Sequence, residues 1–350
     1  MSKKKYDLLV FIGRFQPVHI GHTQVIESAC KMANHVLVLV GSSNQPRTIK
    51  NPWTYQERSD MIADSTSYLQ LRHNSVIHTR PIYDQSYNDQ KWVTSVQATV
   101  DDYISDNLAY PKEKGHKIGL IGHQKDSSSY YLKMFPQWET VEHEMNEDVS
   151  ATDLRTLMFE DKSIRFLEGV LPPAVCATVY SFKSTPEYAL LKREYNVITQ
   201  YKKAWEAAPY PPTFVTVDAI VVQSGHVLLI ERDAAPGEGL HAAPGGFLNQ
   251  DEWIEDGMIR ELREETKLKV PAPVLRGSIK HRGVFDRPDR SLRGRTITHA
   301  FLIELPPGPL PEVKGADDAR KAFWLPISEL DESKMFEDHF HMIQDMLGKL

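Results

Sequence analysis

Short apolar runs alternate with longer helical patterns from residue 6 to about residue 183. The apolar runs have the length of buried strands, whereas the longer patterns repeat with the period of an α-helix. We predict strands at residues 8–12, 35–40, 76–79 and 117–121, and helices at residues 21–33, 54–64 and 89–104. This alternation indicates βαβ units around a parallel sheet, and therefore an α/β fold.

A different pattern begins at residue 186. Residues 186–208 predict a helix, because their apolar side chains fall on one stripe. The stripe consists of Tyr188, Leu191, Tyr195 and Ile198. Prolines at 209, 211 and 212 cannot continue this helix. Beyond them, residues 214–222 and 226–232 flank Ser224-Gly225, a sequence that favours a β-hairpin.

A chain of 350 residues is long enough for two domains, each with its own core. We predict a first domain over residues 1–184, a linker helix and proline-rich boundary over 185–212, and a second domain over 213–350. The second domain mixes strands with an acidic helix and a C-terminal helix after Asp331. We therefore expect an α+β fold there, beside the α/β fold of the first domain.

The overall charge limits the kinds of partner. The chain is 41% hydrophobic and 25% charged, which is typical of a globular protein. Its net charge is −6, whereas proteins that bind nucleic-acid backbones carry clustered positive charge. We therefore expect no nucleic-acid partner, and any site for an anion must be local.

The chain has two cysteines, Cys30 and Cys176, too few for a disulfide scaffold or a zinc cluster. The apolar run at residues 8–12 is too short for a signal peptide, and no window is long enough to span a bilayer. We therefore expect a cytoplasmic protein without a membrane partner.

One segment of the second half combines glycines with closely spaced acids. This acidic motif consists of Gly245, Gly246, Glu252, Arg260, Glu261, Glu264 and Glu265. Its last three acids stand at i, i+3 and i+4, so one helix face carries three carboxylates. Such crowding is unfavourable unless cations neutralise it. Mg²⁺, or alternatively Mn²⁺, accepts oxygen ligands and can then hold a diphosphate and activate a water.

A solvated acidic helix face is the competing interpretation of this motif. It accounts for the carboxylates, but it explains neither the two preceding glycines nor the position of Arg260. Lys267 stands where the helix is expected to end, at a position where glycine adopts the left-handed conformation at low cost. Lys267 therefore leaves the geometry of the helix end open.

A second candidate site follows the first predicted strand directly. This segment, which we call the signature loop, runs from Gly13 through Arg14 and Phe15 to His19 and His22. Glycine lets the backbone approach a ligand closely, and the start of the next helix offers N–H groups to a phosphate. Because His19 and His22 are three residues apart, they can face the same point. The alternative is a pair of structural histidines.

Placed between a strand and a helix, the signature loop resembles that of the nucleotidylyltransferase superfamily. Three further stretches resemble nicotinamide mononucleotide adenylyltransferases of the archaeal type. They are residues 41–58, with Arg47; residues 81–93, with Asn88 and Trp92; and residues 150–155, from Ser150 to Arg155. The resemblance covers roughly residues 6–183 and implies a Rossmann-like nucleotidylyltransferase domain.

The resemblance implies a role for each matching residue. His19 and His22 would bind the phosphates of ATP and stabilise the transition state, and Ser150 and Arg155 would hold the triphosphate. Trp92 would stack on the nicotinamide. The other implied substrate-binding residues are Gly13, Arg14, Phe15, Arg47 and Asn88. Core packing is the alternative for Trp92, and a surface charge is the alternative for Arg47.

The acidic motif resembles the Nudix box, with Lys267 in place of its late glycine, and implies a Nudix domain. Residues 284–295, which include Arg287, resemble a segment of Nudix enzymes that cleave ADP-ribose. By this resemblance Glu261, Glu264 and Glu265 bind the metal, and Glu252 pairs with Arg260 and supports the metal site. Arg287 would hold a phosphate or a ribose, with an exposed polar loop as the alternative. The motif does not identify the group that deprotonates water.

Together the resemblances imply a bifunctional enzyme of NAD metabolism. One domain would join ATP and nicotinamide mononucleotide into NAD and pyrophosphate, and the other would hydrolyse ADP-ribose to AMP and ribose 5-phosphate with Mg²⁺ or Mn²⁺. Two other functions stay open. The same folds could serve another acceptor and cleave NADH or nucleoside triphosphates, or the Nudix half could be a ligand-sensing module. Each is compatible with a homo-oligomer.

Overall fold

The computed structural model describes residues 4–108, 115–122, 131–143, 149–162 and 164–350. The chain divides into two compact units, Met1–Lys192 and Arg193–Leu350. The division falls inside the helix that the apolar stripe after residue 186 predicts. The domain boundaries that the sequence suggests stay a prediction: a first domain over residues 1–184, a linker over 185–212 and a second domain over 213–350. In the described ranges, no helix is both long and apolar enough to cross a membrane.

The first unit is built on a parallel sheet. Its strands are β1 (Tyr6–Gly13), β2 (Ala33–Val40), β3 (Val76–Pro81), β4 (Ile118–Gly122) and β5 (Glu139–Glu142). Among the described residues these form one five-stranded sheet in the order β3-β2-β1-β4-β5, with every neighbouring pair parallel. The predicted α/β fold is therefore confirmed.

Helices connect and cover these strands. They are α1 (Ile20–Met32), α2 (Tyr55–His73), α3 (Asp89–Asn107), α4 (Ala151–Phe159) and α5 (Pro173–Phe182), with a 3-10 helix at Ile164–Gly169. Helix α6 (Pro186–Ala204) begins in this unit and ends in the second. Leu8 and Val10 of the central strand β1 are fully buried in one cluster with Val96 and Val100 of α3. Burial on both faces explains why β1 is a continuous apolar run.

The order of the strands locates a crevice. From β1 the chain proceeds through α1 to β2 and then β3 on one side, and it returns later to β4 on the other side. Connections therefore leave β1 and β4 in opposite directions at their carboxyl ends. Open α/β sheets bind ligands at such a switch point. The signature loop begins at this point, with Gly13, the last residue of β1.

Two elements of the first unit differ from the sequence prediction. Helix α2 extends to His73, nine residues beyond the predicted end at 64. In this extension the buried positions are Ser65, Thr66 and Leu69, so the apolar signal is weak. Strand β5 was not predicted, because its sequence Glu-Thr-Val-Glu is an exposed edge with a single apolar residue.

The second unit is built on a mixed sheet. Its strands are β6 (Thr213–Gln223), β7 (His226–Arg232), β8 (His241–Ala242), β9 (Gly245–Phe247), β10 (Ile279–Phe285), β11 (Arg295–Glu304) and β12 (Ala319–Pro326). Its helices are α7 (Ile254–Thr266), α8 (Ala272–Gly277) and α9 (His339–Leu347), with 3-10 helices at Ile327–Glu329 and Glu332–Lys334. The main path is β10-β11-β6-β7-β12, with β8 on β7 and β9 on β6.

Apolar side chains hold the acidic helix on this sheet. Met258 and Leu262 of α7 are buried with Val217 and Ala219 of β6 in one cluster. The apolar face of α7 therefore fixes the orientation of the adjoining acidic face, whose Glu261 and Glu265 are also buried. The predicted mixture of strands and helices is confirmed. The predicted hairpin is also present: Ser224 and Gly225 have φ angles of 48° and 75°, as a two-residue turn requires.

Lys267 ends α7 in the left-handed conformation, with φ 52° and ψ 24°. This conformation costs a residue with a side chain about 1–2 kcal/mol, whereas glycine adopts it freely. We expect Lys267→Gly to raise the free energy of unfolding by about 0.5–1 kcal/mol, since the greater freedom of glycine in the unfolded chain offsets part of the gain. Urea unfolding measures this change.

Lys269→Gly is the matched control, because Lys269 is also exposed and its φ is not positive. This control should leave the free energy of unfolding unchanged or lower it. Equal destabilisation by both substitutions would contradict the assigned conformation of Lys267.

Candidate functional sites

The two histidines of the signature loop lie side by side at the start of α1. His19 is the N-cap residue and His22 is the third residue of the helix. Their ring centroids are 3.7 Å apart, with 31° between the ring planes. The backbone N–H of His19 donates to Nδ1 of His22 at 3.2 Å. Both imidazoles therefore stand at the positive end of the helix dipole.

His22 is held in its neutral form. Burial, with a smaller contribution from the neighbouring His19, holds the pKa of His22 well below its usual range. Because Nδ1 accepts a hydrogen bond, the proton of the neutral ring lies on Nε2. His22 therefore offers one N–H donor without carrying a charge of its own.

Two buried arginines hold the carbonyl groups of the signature loop. Arg58, 1% exposed, donates to the carbonyl oxygens of Arg14 and Gly41, both at 2.7 Å. Arg155, 8% exposed, donates to the carbonyl oxygen of Gln16 at 2.6 Å. Burial lowers the pKa of each guanidinium to about 10, so both stay charged at neutral pH. They fix the loop and add positive charge beneath it.

A third guanidinium adds to this charge from the surface. Arg14 donates to the carbonyl oxygen of Lys50 at 2.9 Å and to Oδ1 of Asn51 at 3.1 Å. Its charge adds to the effect of burial in lowering the pKa of both Arg58 and Arg155, so Arg14 acts on each of the two buried guanidiniums. The three cations around the carboxyl end of β1 create a local site for an anion.

Phe15 and Gly13 shape the loop from within. Phe15 has a φ of 53°, is 1% exposed, and lies 4.8 Å from His22 between ring centroids. A Cβ on Gly13 would come within 2.9 Å of the Phe15 ring. The structure thus places Phe15 beneath the histidines, where it supports the ring of His22.

Three other candidate residues have local partners. Arg47 forms a bidentate ion pair with Glu57 at 2.8 and 2.9 Å. Ser150 caps α4 by accepting the N–H of Asp153, and Asn88 caps α3 in the same way. Helix starts at Ser150 and Asn88 leave further N–H groups available to a ligand.

Trp92 lies at the edge of the core of the first unit. It is half-buried, with its ring at 5.9 Å from Phe135 and 6.4 Å from Tyr131 between centroids, in edge-on contacts. The hydroxyl of Tyr131 donates to the carbonyl oxygen of Ile12, one residue before the signature loop. Trp92 therefore combines core packing with a position near the carboxyl end of β1.

In the second unit, the two glycines bring β9 against the acidic face of α7. A Cβ on Gly245 would lie 2.2 Å from the carbonyl oxygen of Val217, and a Cβ on Gly246 would lie 2.7 Å from the Glu261 carboxylate. The N–H of Gly245 donates to Oε2 of Glu265 at 2.8 Å. The motif needs glycine at both positions because backbone and carboxylates meet there.

Arg260 links the other carboxylates of the acidic motif. Its guanidinium contacts both oxygens of Glu252 at 2.6 and 2.9 Å, Oε1 of Glu261 at 2.8 Å and Oε2 of Glu264 at 2.9 Å. The hydrogen bonds from Arg260 hold the pKa of Glu252 below its usual range. The predicted pairing of Glu252 with Arg260 is present, and Arg260 also provides a counter-charge for Glu261 and Glu264.

The chemistry of these carboxylates fits a divalent cation. Glu265 is 4% exposed, and burial raises its pKa to about 8. Burial also raises the pKa of Glu261. A bound cation would favour the ionised form of both side chains and supply the charge that burial requires. In the described ranges no three acidic, histidine or cysteine side chains already converge as metal ligands, and Arg260 occupies oxygens of Glu261 and Glu264.

Arg287 lies on the loop before β11, where it pairs with Asp289 at 2.7 and 3.0 Å. Three residues later, Arg290 is buried and makes a bidentate ion pair with Asp338, both contacts at 2.9 Å. Of the two arginines, Arg290 anchors the loop to the start of α9, and Arg287 stays at the surface.

Sequence reasoning missed two further buried residues beside these sites. The sequence placed Arg58 only within residues 41–58, one of the stretches that resemble the adenylyltransferases, and gave it no role of its own. Asp218 is buried at the centre of β6, accepts a hydrogen bond from Thr298, and contributes to the raised pKa of Glu265. An aspartate inside the apolar run of residues 214–222 was the available signal, because a buried charge needs a specific partner.

Comparison with known families matches each half separately. Residues 10–157 match the family model described as Cytidylyltransferase-like, and residues 212–346 match the model of the NUDIX domain. A nicotinamide/nicotinic acid mononucleotide adenylyltransferase from Acinetobacter baylyi is 41% identical over 194 residues, 55% of this chain and 95% of that protein. An ADP-ribose pyrophosphatase from Methanocaldococcus jannaschii is 35% identical over 133 residues, 38% of this chain and 72% of that protein.

One solved structure resembles the chain over nearly its whole length. It is a bifunctional NMN adenylyltransferase/ADP ribose pyrophosphatase from Francisella tularensis, complexed with AMP and a manganese ion. The TM-score is 0.85 and the sequence identity is 33%, covering 98% of this chain and 99% of that chain.

Proposed function

Because the chain belongs to the nicotinamide mononucleotide adenylyltransferases through its N-terminal half and to the Nudix family through its C-terminal half, we propose that it is a bifunctional enzyme of NAD metabolism. The first unit transfers the adenylyl group of ATP to nicotinamide mononucleotide, giving NAD and pyrophosphate. The second unit hydrolyses ADP-ribose to AMP and ribose 5-phosphate. The partners are these nucleotides, in the cytoplasm, without nucleic acid or membrane.

The paired imidazoles at the start of α1 carry the proposal for the first unit. The phosphate of the mononucleotide attacks the α-phosphorus of ATP, and pyrophosphate leaves with the bonding electrons. The protein supplies no covalent nucleophile, so it acts by aligning two polyanions and stabilising the developing charge. His19 and the Nε2–H of His22 are suited to donate to the phosphate oxygens at the helix start.

Other residues of the first unit are proposed to position the substrates. Arg155, which donates to the carbonyl oxygen of Gln16, and Ser150, the N-cap of the same helix, are proposed to hold the triphosphate. Gly13 and Arg14 contact the nucleotide, with Phe15 supporting His22 from below. Trp92 stacks on the nicotinamide with Asn88 nearby, and Arg47, held by Glu57, has the least direct role.

The meeting of β9 and the acidic face of α7 carries the proposal for the second unit. Glu261, Glu264 and Glu265 hold a divalent cation, which we propose is Mg²⁺, with Mn²⁺ as the alternative. When bound, the cation lowers the pKa of a water and neutralises charge on the diphosphate. Arg260 now contacts Glu252, Glu261 and Glu264, and it would keep Glu252 while Glu261 and Glu264 held the cation. Arg287 is proposed to reach a phosphate or ribose from its loop.

The test is an assay of the whole protein with Mg²⁺. Incubation with ATP and nicotinamide mononucleotide should give NAD and pyrophosphate in equal amounts, identified by chromatography. Separate incubation with ADP-ribose should give AMP and ribose 5-phosphate. A panel of nicotinic acid mononucleotide, phosphopantetheine, NADH and nucleoside triphosphates serves as the comparison. Preference for phosphopantetheine as the acceptor, or no cleavage of ADP-ribose, would refute the corresponding half of the proposal.

A further inference from the structure

The second unit contains a cavity of about 210 Å³. Its walls include Ile198 and Tyr201 from the last turns of α6, Arg232 at the end of β7, and Arg293 from the loop before β11. Asp318 also lines it. The cavity thus combines an apolar and aromatic wall with two guanidinium groups. Pockets for whole small molecules measure about 300–1,000 Å³, so this one holds part of a dinucleotide-sized ligand.

Carboxylates act on the two guanidiniums from a distance: the charges of Glu337 and Asp318 act on Arg232, and the charge of Arg293 acts on Glu337. In the part of the chain that the structure describes, no carboxylate lies within ion-pair distance of Arg232 or Arg293. Arg232 donates to the carbonyl oxygen of Pro236 at 3.0 Å and lies over the Phe336 ring. Arg293 lies over the Phe247 ring at 5.1 Å from its centroid. Two such cations on one cavity favour an anionic ligand.

The cavity adjoins the acidic motif. The backbone N–H of Ala316, two residues before Asp318, donates to the carbonyl oxygen of Glu265 at 3.1 Å. Phe247, beneath Arg293, follows Gly246 directly. A nucleotide whose diphosphate lies at the acidic face can therefore extend one end into the cavity.

Aromatic contacts fix Tyr201 in the wall. Its ring centroid lies 5.6 Å from that of Phe214 on β6, and Trp205 lies 5.3 Å from the same ring. Phe214 is in turn 5.8 Å from Phe247. The last turns of α6 are therefore joined to the strands that carry the acidic motif. A fixed aromatic ring with an apolar neighbour, Ile198, suits the face of a planar base better than a polar sugar.

We propose that this cavity binds the adenosine end of the diphosphate substrate, with Tyr201 against the base and Arg232 and Arg293 on the phosphates. The proposal rests on the hydrolase function proposed above and extends it to a helix outside the acidic motif. Helix α6 is then a substrate-binding element of the hydrolase as well as a connection along the chain.

The test measures the KM for ADP-ribose hydrolysis and the inhibition constants of AMP and ribose 5-phosphate. Tyr201→Ala should raise the KM and the AMP constant about tenfold, with kcat changed by less than about twofold. Tyr201→Phe should behave as wild type, because it keeps the ring. Arg293→Met should raise the same two constants by about tenfold or more. Tyr210→Ala removes a tyrosine that is 81% exposed and should change nothing.

A kcat near the wild-type value shows that the second unit of each variant is folded, and adenylyl transfer by the same preparations shows the same for the first unit. An unchanged KM and AMP constant in Tyr201→Ala would overturn the proposal, and so would weaker inhibition by ribose 5-phosphate alone. Failure of the wild type to cleave ADP-ribose would instead refute the proposed hydrolase. In that case, AMP binding is measured by calorimetry in a protein that carries His19→Ala. Loss of binding when Tyr201→Ala is added supports the cavity as a nucleotide site. Unchanged binding overturns the proposal.

Discussion

His19→Ala is expected to lower the rate of NAD synthesis by about 10²–10³-fold, because it removes a preorganised donor from the transferring phosphate. The ring centroid of His19 lies 3.7 Å from that of His22 at the start of α1. Among the described histidines of the first unit, no other ring contacts His22 and could replace His19. Hydrolysis of ADP-ribose by the same preparation should stay within about twofold of wild type. Initial rates of both reactions on one sample measure the difference.

His78→Ala is the matched control, because His78 is an exposed histidine on β3, away from α1. It should leave both reactions unchanged. If His19→Ala slowed both reactions equally, the substitution would be acting through folding. If it slowed neither, the assignment of the imidazole pair to phosphate binding would be wrong.

Glu265→Gln is expected to reduce ADP-ribose hydrolysis by at least about a hundredfold, with NAD synthesis unchanged. Loss of a partner behind a metal ligand alone costs about 10–100-fold, and Glu265 is proposed as a direct ligand. Glutamine has nearly the same shape, and its amide oxygen can still accept the N–H of Gly245. The fold should therefore survive while the negative charge is lost.

A chelator should abolish hydrolysis by the wild type, and Mg²⁺ or Mn²⁺ should restore it. Glu255→Gln removes a carboxylate from the first turn of the same helix, where Glu255 pairs with Arg276 and Arg282, and it should leave hydrolysis nearly intact. Hydrolysis by Glu265→Gln at the wild-type rate would exclude Glu265 as a metal ligand.

The sequence predicted those features whose signal is local. A buried strand such as β1 is a continuous apolar run, and a turn such as Ser224-Gly225 has a characteristic pair of residues. The spacing of Glu261, Glu264 and Glu265 places them on one helix face, whatever the helix packs against. These features depend on neighbours within a few residues, and the structure contains each of them.

Residues whose partners are distant in sequence could not be predicted in the same way. Arg58 is an ordinary charged residue in the sequence, and its burial depends on carbonyl groups 17 and 44 residues away. Arg290 is paired with Asp338 across 48 residues, whereas nearby Arg287 pairs with Asp289 within its own loop. Pattern alone does not distinguish the arginines at 287 and 290, since only the tertiary fold decides which one is buried.

The guanidiniums of Arg58 and Arg155 have a consequence for the rate at which substrates are captured. Both guanidiniums are buried, and both donate hydrogen bonds to backbone carbonyl oxygens of the signature loop. Dissolved ions screen exposed charges strongly over about 8 Å at physiological ionic strength, but they screen buried ones much less. Attraction of polyanionic nucleotides to the start of α1 should therefore persist in salt that would weaken a surface patch of lysines.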